Sequence, residues 1–237
     1  DYILVPVGGG GLCTGVSTLA KLLNPKIKVI AVEPAGAACL KASLEAGEVT
    51  TVSKINTIAD GTAVQTPGDK LFPYLQANVD HVITVDDSEL TLSFLDMAEN
   101  HKMIVENSGL LTVAALKHLD FKGKKVVSVL SGGNMDVLTM ATVVQNGLMQ
   151  RDRIFTVSVM LPDKPGQLAA VSSLIAKEQG NVIKLEHNVF ANVNRTAGVE
   201  LTITLESFGT EHKDQIIKAL EAAGYCPVIT KTNGIYM

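Results

Sequence analysis

The segment Val5-Pro6-Val7-Gly8-Gly9-Gly10-Gly11-Leu12 most restricts what this chain can become: an apolar run with the character of a buried strand breaks into four consecutive glycines. Without Cβ atoms the backbone can curl its N–H groups inward around an anion, and the helical pattern from about Thr14 presents a helix N-terminus to the same place. Such a loop suits a phosphate; a flexible strand-to-helix turn is the plain alternative. Two common nucleotide fingerprints do not apply. Cys13 or Thr14 stands where G-x-G-x-x-G needs its third glycine, and Val16 follows Gly15 where a P-loop needs lysine.

The pattern then alternates as a parallel sheet with helical crossovers requires. Residues 28–33 read as a strand, 37–46 as a helix stopping at Gly47, and 81–85 as a strand. Asp86, Asp87 and Ser88 offer cap chemistry for a helix to about residue 100, and a further helix spans 108–119. The apolar strand 126–130 ends in Ser131-Gly132-Gly133-Asn134-Met135-Asp136, and the next helix closes near Gln150. Open α/β sheets bind ligands at the carboxyl ends of their strands, so two glycine-rich strand ends point to one cleft. That pairing favours the phosphate reading over the turn.

Gly8-Gly9-Gly10-Gly11-Leu12, Val32-Glu33-Pro34, Ile58-Ala59-Asp60-Gly61, Val105-Glu106-Asn107-Ser108-Gly109 and Leu130-Ser131-Gly132-Gly133-Asn134 occur in one order. In that order they resemble the pyridoxal-phosphate enzymes of the threonine dehydratase and serine racemase family, which share the tryptophan-synthase-β-like fold type II. The resemblance implies that N–H groups of Gly8, Gly9, Gly10, Gly11 and Leu12 hold the phosphate of pyridoxal 5′-phosphate. It implies that Gly61 and Gly132 abut the cofactor, that Ser131 bonds the pyridine nitrogen and that Glu106 lies near the ring. A serine partner leaves that nitrogen largely unprotonated, a moderated electron sink that suits β-elimination of a hydroxyl. From the residues alone each position keeps a structural alternative. Ser131 can be a turn or cap serine, Glu106 the acid before a helix that Ser108 caps, and Asp60-Gly61 a plain turn.

Two departures from the family pattern shape the expectation. Racemase-like members hold a divalent cation at positions that correspond here to Glu33, Ala37 and Cys39. A thiol in place of a hard oxygen donor predicts no divalent metal, leaving a monovalent cation or none. The family's Schiff-base lysine lies in an S-x-K-x-R-G type segment upstream of the glycine loop, and nothing here matches it. Ser53-Lys54 lies downstream and reads as surface. Without that lysine the general base is missing as well, so these 237 residues are expected to be inactive alone. Asp1 followed by the strand-like Tyr2-Ile3-Leu4-Val5 predicts a chain that begins inside a longer protein.

Arg151-Asp152-Arg153 is a charged joint after which the order becomes β-α-β-β-α-β, a ferredoxin-like plan. Strands are expected at 154–161, 182–191, 199–207 and 226–230, with helices at 167–179 and 211–223. The domains expected are therefore 1–150, part of an α/β catalytic domain, and 151–237. The loop Leu161-Pro162-Asp163-Lys164-Pro165-Gly166-Gln167-Leu168 resembles the first loop of ACT regulatory domains. That resemblance implies an amino-acid effector pocket made by Asp163, Gly166, Gln167 and Leu168 with Asn181 and Val182, often across a subunit boundary, in a dimer joined through these domains. Asp163 as a helix cap with Pro165 in the first turn accounts for the loop structurally; Gly166 also lets a ligand carboxylate approach the helix.

A formal charge of −4 without a basic stripe argues against nucleic acid, and the absence of an apolar run near twenty residues argues against a membrane span. Cys13, Cys39 and Cys226 and the five histidines lack metal-ligand spacing and fit a reducing cytoplasm. Met135, Met140 and Met149 read as packing. The activity expected is dehydration and deamination of L-threonine or L-serine to 2-oxobutanoate or pyruvate and ammonia. Isoleucine, valine, serine or threonine would regulate it. A non-catalytic amino-acid sensor and a serine racemase-like enzyme are the alternatives.

Overall fold

The computed structural model describes residues 1–188 and 198–232. The chain forms two compact units, Asp1–Val143 and Val144–Met237. In the first, strands β1 (Tyr2–Pro6), β2 (Lys28–Pro34), β3 (His81–Val85) and β4 (Val126–Ser128) make an all-parallel sheet in the order β3-β2-β1-β4. Strands covered on both faces must be apolar on both, and β2 accordingly buries Val29, Ile30, Ala31 and Val32 in succession. The chain steps outward from β1 to β3 and then returns to β4 on the other side of β1. The direction of winding therefore reverses between β1 and β4.

Helices α1 (Gly11–Leu23), α2 (Cys39–Ala46), α3 (Phe72–Asn78), α4 (Asp87–Asp96), α5 (Asn107–Ala114) and α6 (Val137–Gln150) complete the connections. Cys13, Ser17 and Ala20 recur at helical spacing on the buried face of α1, with Cys13 and Ala20 in one core cluster with Val5, Val7, Leu40, Phe72 and Leu75. Helix α4 starts with a capping box: Asp86 accepts from the third residue of the helix, and Glu89 Oε2 accepts the Asp86 N–H at 3.0 Å. It continues as a π-helical turn, Met97–His101, which ends where Lys102 takes φ 58°.

Several elements differ from the sequence expectation: the helix expected at 108–119 is α-helical only to Ala114 and closes in a 3₁₀ turn, Ala115–Lys117, and the last strand starts at Val228 rather than 226. Helix α2 starts at Cys39 because 35–37 form a separate 3₁₀ turn. Strand β4 stops at Ser128, after which Val129 gives one further hydrogen bond, N–H to Leu4 O at 3.0 Å. Helix α3 was not expected; it has Pro73 in its first turn and buries Phe72 and Leu75.

In the second unit β5 (Ile154–Leu161), α7 (Gln167–Lys177), β6 (Asn181–Asn188), β7 (Val199–Glu206), α8 (Thr210–Ala222) and β8 (Val228–Thr230) follow the ferredoxin-like order. The antiparallel sheet runs β6-β7-β5-β8. Val157, Val159, Leu161, Leu201, Ile203 and Leu205 pack with Val171 and Ile175 of α7 and Ile216 and Leu220 of α8. This is the period-2 alternation of strands with one apolar face. Thr156 and Thr204 are buried too and bond each other across strands at 3.0 Å. Residues 189–191, the expected end of the second strand, lie outside the described residues.

Candidate active site

The reversal between β1 and β4 leaves a crevice at the carboxyl ends of two adjacent strands, where open α/β sheets place ligands. Both glycine-rich segments lie at this edge. After Val7 N–H bonds Val32 O at 2.8 Å, the chain opens into Gly8–Gly11 and enters α1, whose N-cap is Gly10 at φ 95°. No side chain caps α1, and its first turn holds no acid, so its leading N–H groups are available to an anion. The loop is packed so that glycine is required at two points. A Cβ on Gly8 would meet Thr62 Cα at 2.9 Å, and one on Gly10 would meet Leu75 Cδ1 of α3 at 2.7 Å.

The neighbouring wall continues from Gly8 without a gap. Gly61, in the 3₁₀ turn Asp60–Thr62, lies where a Cβ would be 3.0 Å from Ser108 Oγ and 3.5 Å from Glu106 Oε1. Gly132, at φ 146°, lies where a Cβ would be 2.4 Å from the Glu106 carboxylate. Glu106 N–H in turn donates to Gly132 O at 3.2 Å. On the other side of that carbonyl, a Cβ on Gly109 would stand 3.2 Å from Ser131 N. Close approaches thus run from Gly8 through 61–62 and Glu106 to Ser131 and Gly132. Leu12 lies in the first turn of α1, partly exposed.

Neither serine caps the helix that follows it. Ser108 is inside α5, whose N-cap is Glu106; its Oγ accepts from Thr62 Oγ1 at 3.4 Å. Ser131 precedes α6 by several residues, and the α6 N-terminus is served by Asp136, which accepts from Thr139 N at 2.9 Å. Those hydrogen bonds hold the Asp136 carboxyl below the usual carboxylate range.

A cleft of about 150 Å³ opens beside Gly61 and Glu106, lined by Ile58, Asp60, Gly61, Glu106, Asn107 and Ser108 from one side and Asn134, Met135, Asp136 and Thr139 from the other, while Gly8–Leu12, Ser131 and Gly132 do not line it. Met135 therefore faces the cleft, which the helical packing pattern did not reveal. Asp87 holds the rim: Thr57 Oγ1 donates to its Oδ1 at 2.6 Å and Ile58 N–H to its Oδ2 at 3.0 Å. Ile58 O then accepts from Asn107 Nδ2 at 2.9 Å. Neither Asp87 nor Asn107 was among the sequence candidates, since each reads locally as the start of a helix. Lys54 is exposed and does not line the cleft.

Glu33 caps the next helix. Its buried carboxylate accepts Leu40 N–H at 2.7 Å and Lys41 N–H at 2.8 Å, closing the N-terminus of α2. Burial pushes its carboxyl up to about 7, against the lowering effect of those N–H groups. Burial also pushes the Cys13 and Cys39 thiols up to about 12, with Glu33 adding to both. Ala37 lies in the 3₁₀ turn before α2. Among the described residues no group of three or more His, Cys, Asp or Glu side chains could hold a metal ion.

In the second unit the loop after β5 enters α7 through Gly166, an N-cap at φ 90° without a side-chain cap bond. Asp163 therefore does not cap α7 and Pro165 precedes its first turn, because the left-handed glycine takes the cap position. Gln167 and Leu168 begin the helix. Asn181 and Val182 are at the opposite end of the sheet. Asn181 pairs with Glu206 and Glu206 with Ile154, whereas the loop follows Leu161. Seven strand steps separate the two, about 23 Å at roughly 3.3 Å per residue. One copy of the chain does not bring the two halves of the expected effector pocket together.

Comparison with known proteins places residues 1–132 in the family described as pyridoxal-phosphate dependent enzyme and residues 155–224 in the ACT domain family. The chain is 37% identical over 232 residues to the L-threonine ammonia-lyase of Geobacter sulfurreducens, matching 97% of this chain and 58% of that one. Processed threonine deaminase isoform 2 from Solanum lycopersicum superposes with a TM-score of 0.57 at 32% identity, over 61% of this chain and 43% of that structure. Serine racemase from Dictyostelium discoideum gives 0.54 at 42% identity, over 58% and 45%. The chain thus spans little more than half the length of the curated relative. No helix among the described residues is long and apolar enough to cross a membrane.

Proposed function

The chain belongs to the pyridoxal-phosphate-dependent enzymes and carries an ACT domain, and on that premise we propose that it is the C-terminal part of an ammonia-lyase acting on L-threonine or L-serine. The catalytic segment is 1–150 and the regulatory segment 151–237. The observation that carries the reading is the continuous wall from Gly8 through Gly61 and Glu106 to Gly132 at the reversal of the sheet.

The residues fit the cofactor. The Gly8–Gly11 segment carries no side chain, so its backbone is bare where it enters α1, and α1 offers uncapped N–H groups to a phosphate. When bound, pyridoxal phosphate would supply an electron sink for loss of the α-proton of the amino acid. Gly8, Gly9, Gly10, Gly11 and Leu12 would hold its phosphate by backbone N–H groups. Gly61 and Gly132 would leave the wall free of side chains where the ring would lie, and the Ser131 hydroxyl would meet the pyridine nitrogen as a neutral partner. Glu106 would set an acidic group beside it. No lysine lines the cleft, so on this reading the 237 residues bind but do not turn over substrate.

Effector binding at Asp163, Gly166, Gln167 and Leu168 would be completed by Asn181 and Val182 of a second copy, making the ACT unit a dimerisation element. The candidate effectors are isoleucine, valine, serine and threonine. Free thiols at Cys13, Cys39 and Cys226 support a reducing cytoplasmic setting. A monovalent cation remains a candidate cofactor with no site assigned.

The test is cofactor retention by the purified chain, read by absorption of pyridoxal phosphate after gel filtration, followed by fusion to the upstream half of the Geobacter relative. Retention, and 2-oxobutanoate from threonine in the fusion, are the expected results. A chain that binds isoleucine or threonine in calorimetry but never the cofactor would instead be an amino-acid sensor.

A further inference from the structure

Asn107 is 6% exposed, yet it lines the cleft, and its side chain is half satisfied. Its Nδ2 donates to Ile58 O at 2.9 Å, while its buried Oδ1 has no hydrogen-bond partner. Native proteins pair nearly all buried polar atoms, because an amide oxygen that has lost water without gaining a donor is destabilising. The Nδ2 bond fixes the orientation of the amide, and Asp87 in turn fixes Ile58. The unsatisfied oxygen is thus held in place.

Its surroundings define the missing partner. Asp60, Glu106 and Asp136 line the same cleft with Ser108 and Thr139, and no lysine, arginine or histidine does. Such a wall repels a phosphate or a carboxylate and accepts a donor. The Gly8–Gly11 loop, with the uncapped N-terminus of α1, has the opposite character and on the proposed reading is taken by the cofactor phosphate.

Resting on the proposed function, we propose that Asn107 is a substrate-binding residue. Its Oδ1 accepts a hydrogen bond from the donor end of a β-hydroxy-α-amino acid, its hydroxyl or its ammonium, and so sets which way round the substrate enters. The substrate carboxylate lies away from the acidic wall.

The experiment is a residue-by-ligand cycle on the chain loaded with pyridoxal 5′-phosphate. Dissociation constants are measured for L-threonine, for L-2-aminobutyrate, which lacks the hydroxyl, and for 3-hydroxybutyrate, which lacks the ammonium. In the wild-type chain the analogue missing the donor that Asn107 receives should bind about tenfold more weakly than threonine. In Asn107→Leu that penalty should fall to about twofold or less. Asn107→Ala, which also lacks the acceptor, should show the same collapse and serves if the leucine variant does not fold. Collapse of the 2-aminobutyrate penalty identifies the hydroxyl as the donor; collapse of the 3-hydroxybutyrate penalty identifies the ammonium. Penalties unchanged in Asn107→Leu, or absence of amino-acid binding by wild type that retains the cofactor, overturn the inference and leave the cofactor reading standing. Absence of cofactor binding by wild type overturns that reading itself.

Discussion

Gly132 and Glu106 fit together with no room for a methyl group: a Cβ on residue 132 would stand 2.4 Å from the Glu106 carboxylate, at a φ of 146° that L side chains avoid. The Gly132 carbonyl at the same time accepts the Glu106 N–H. Strand end and helix start are thereby locked face to face. Gly132→Ala should therefore destabilise the chain by about 2–3 kcal/mol, backbone strain and steric overlap combined, and weaken cofactor retention. Urea unfolding and cofactor titration check this; an alanine variant as stable as wild type would contradict the packing described.

Asp87 acts on the cleft through the rim it holds. Replacing it with alanine removes the acceptors of Thr57 Oγ1 and Ile58 N–H, charge-assisted bonds that contribute about 1.5–3 kcal/mol each in favourable cases. Releasing 57–61 displaces Gly61 from Ser108 and Glu106, so cofactor affinity should fall with stability. Asp87→Asn, which keeps one acceptor, should lie between alanine and wild type in both measurements.

Glu33 makes stability depend on pH in an unusual direction for a carboxylate. Its folded value is about 7 and its ordinary one 4.5, so between these the native state binds more protons than the unfolded chain. Its contribution is then fully present below pH 4.5 and is lost as pH rises through about 7, a change on the order of 3 kcal/mol at 1.36 kcal/mol per unit. Glu33→Gln should remove that slope. Unfolding free energies measured from pH 4.5 to 8 for both proteins give the difference profile, and parallel curves would refute the assignment.

Ser131→Ala should leave the cofactor bound but weaken it about threefold to tenfold, the scale of one neutral hydrogen bond. Its absorption band should shift, since the ring nitrogen loses its partner. An unchanged affinity and spectrum would remove Ser131 from the site.

Effector binding should be linked to self-association, because one copy keeps the loop before Gly166 and the start of β6 at opposite ends of its sheet. Sedimentation with and without isoleucine, valine, threonine or serine should show more dimer with the effector. Binding by an undimerised chain would put the pocket within a single copy.

Much of this protein was legible in its residues. The apolar run of β2 and the apolar–polar alternation of β5 and β7 point to a parallel sheet and to an antiparallel one with a single apolar face, because two apolar faces or one leave different periods in the sequence. Four glycines in a row, and a second glycine pair after β4, marked two strand ends at one edge of the sheet, and at Gly8, Gly10 and Gly132 the reason is local: backbone that comes close or turns left-handed excludes side chains. Helix α3 escaped notice since seven residues are too short to show a helical period, though its Leu75 packs against Gly10, whose φ of 95° is what demands glycine.

What only the tertiary structure decided is which atoms share a space. Thr57 meets Asp87 across 30 positions and Asn107 meets Ile58 across 49, separations over which no spacing rule operates. Glu33 became a helix cap because the start of α2 folds back over the end of β2, a fact of packing that its motif does not contain. Local chemistry selects elements and turns, whereas long-range contact assigns each polar atom its partner or, at Asn107 Oδ1, leaves it without one.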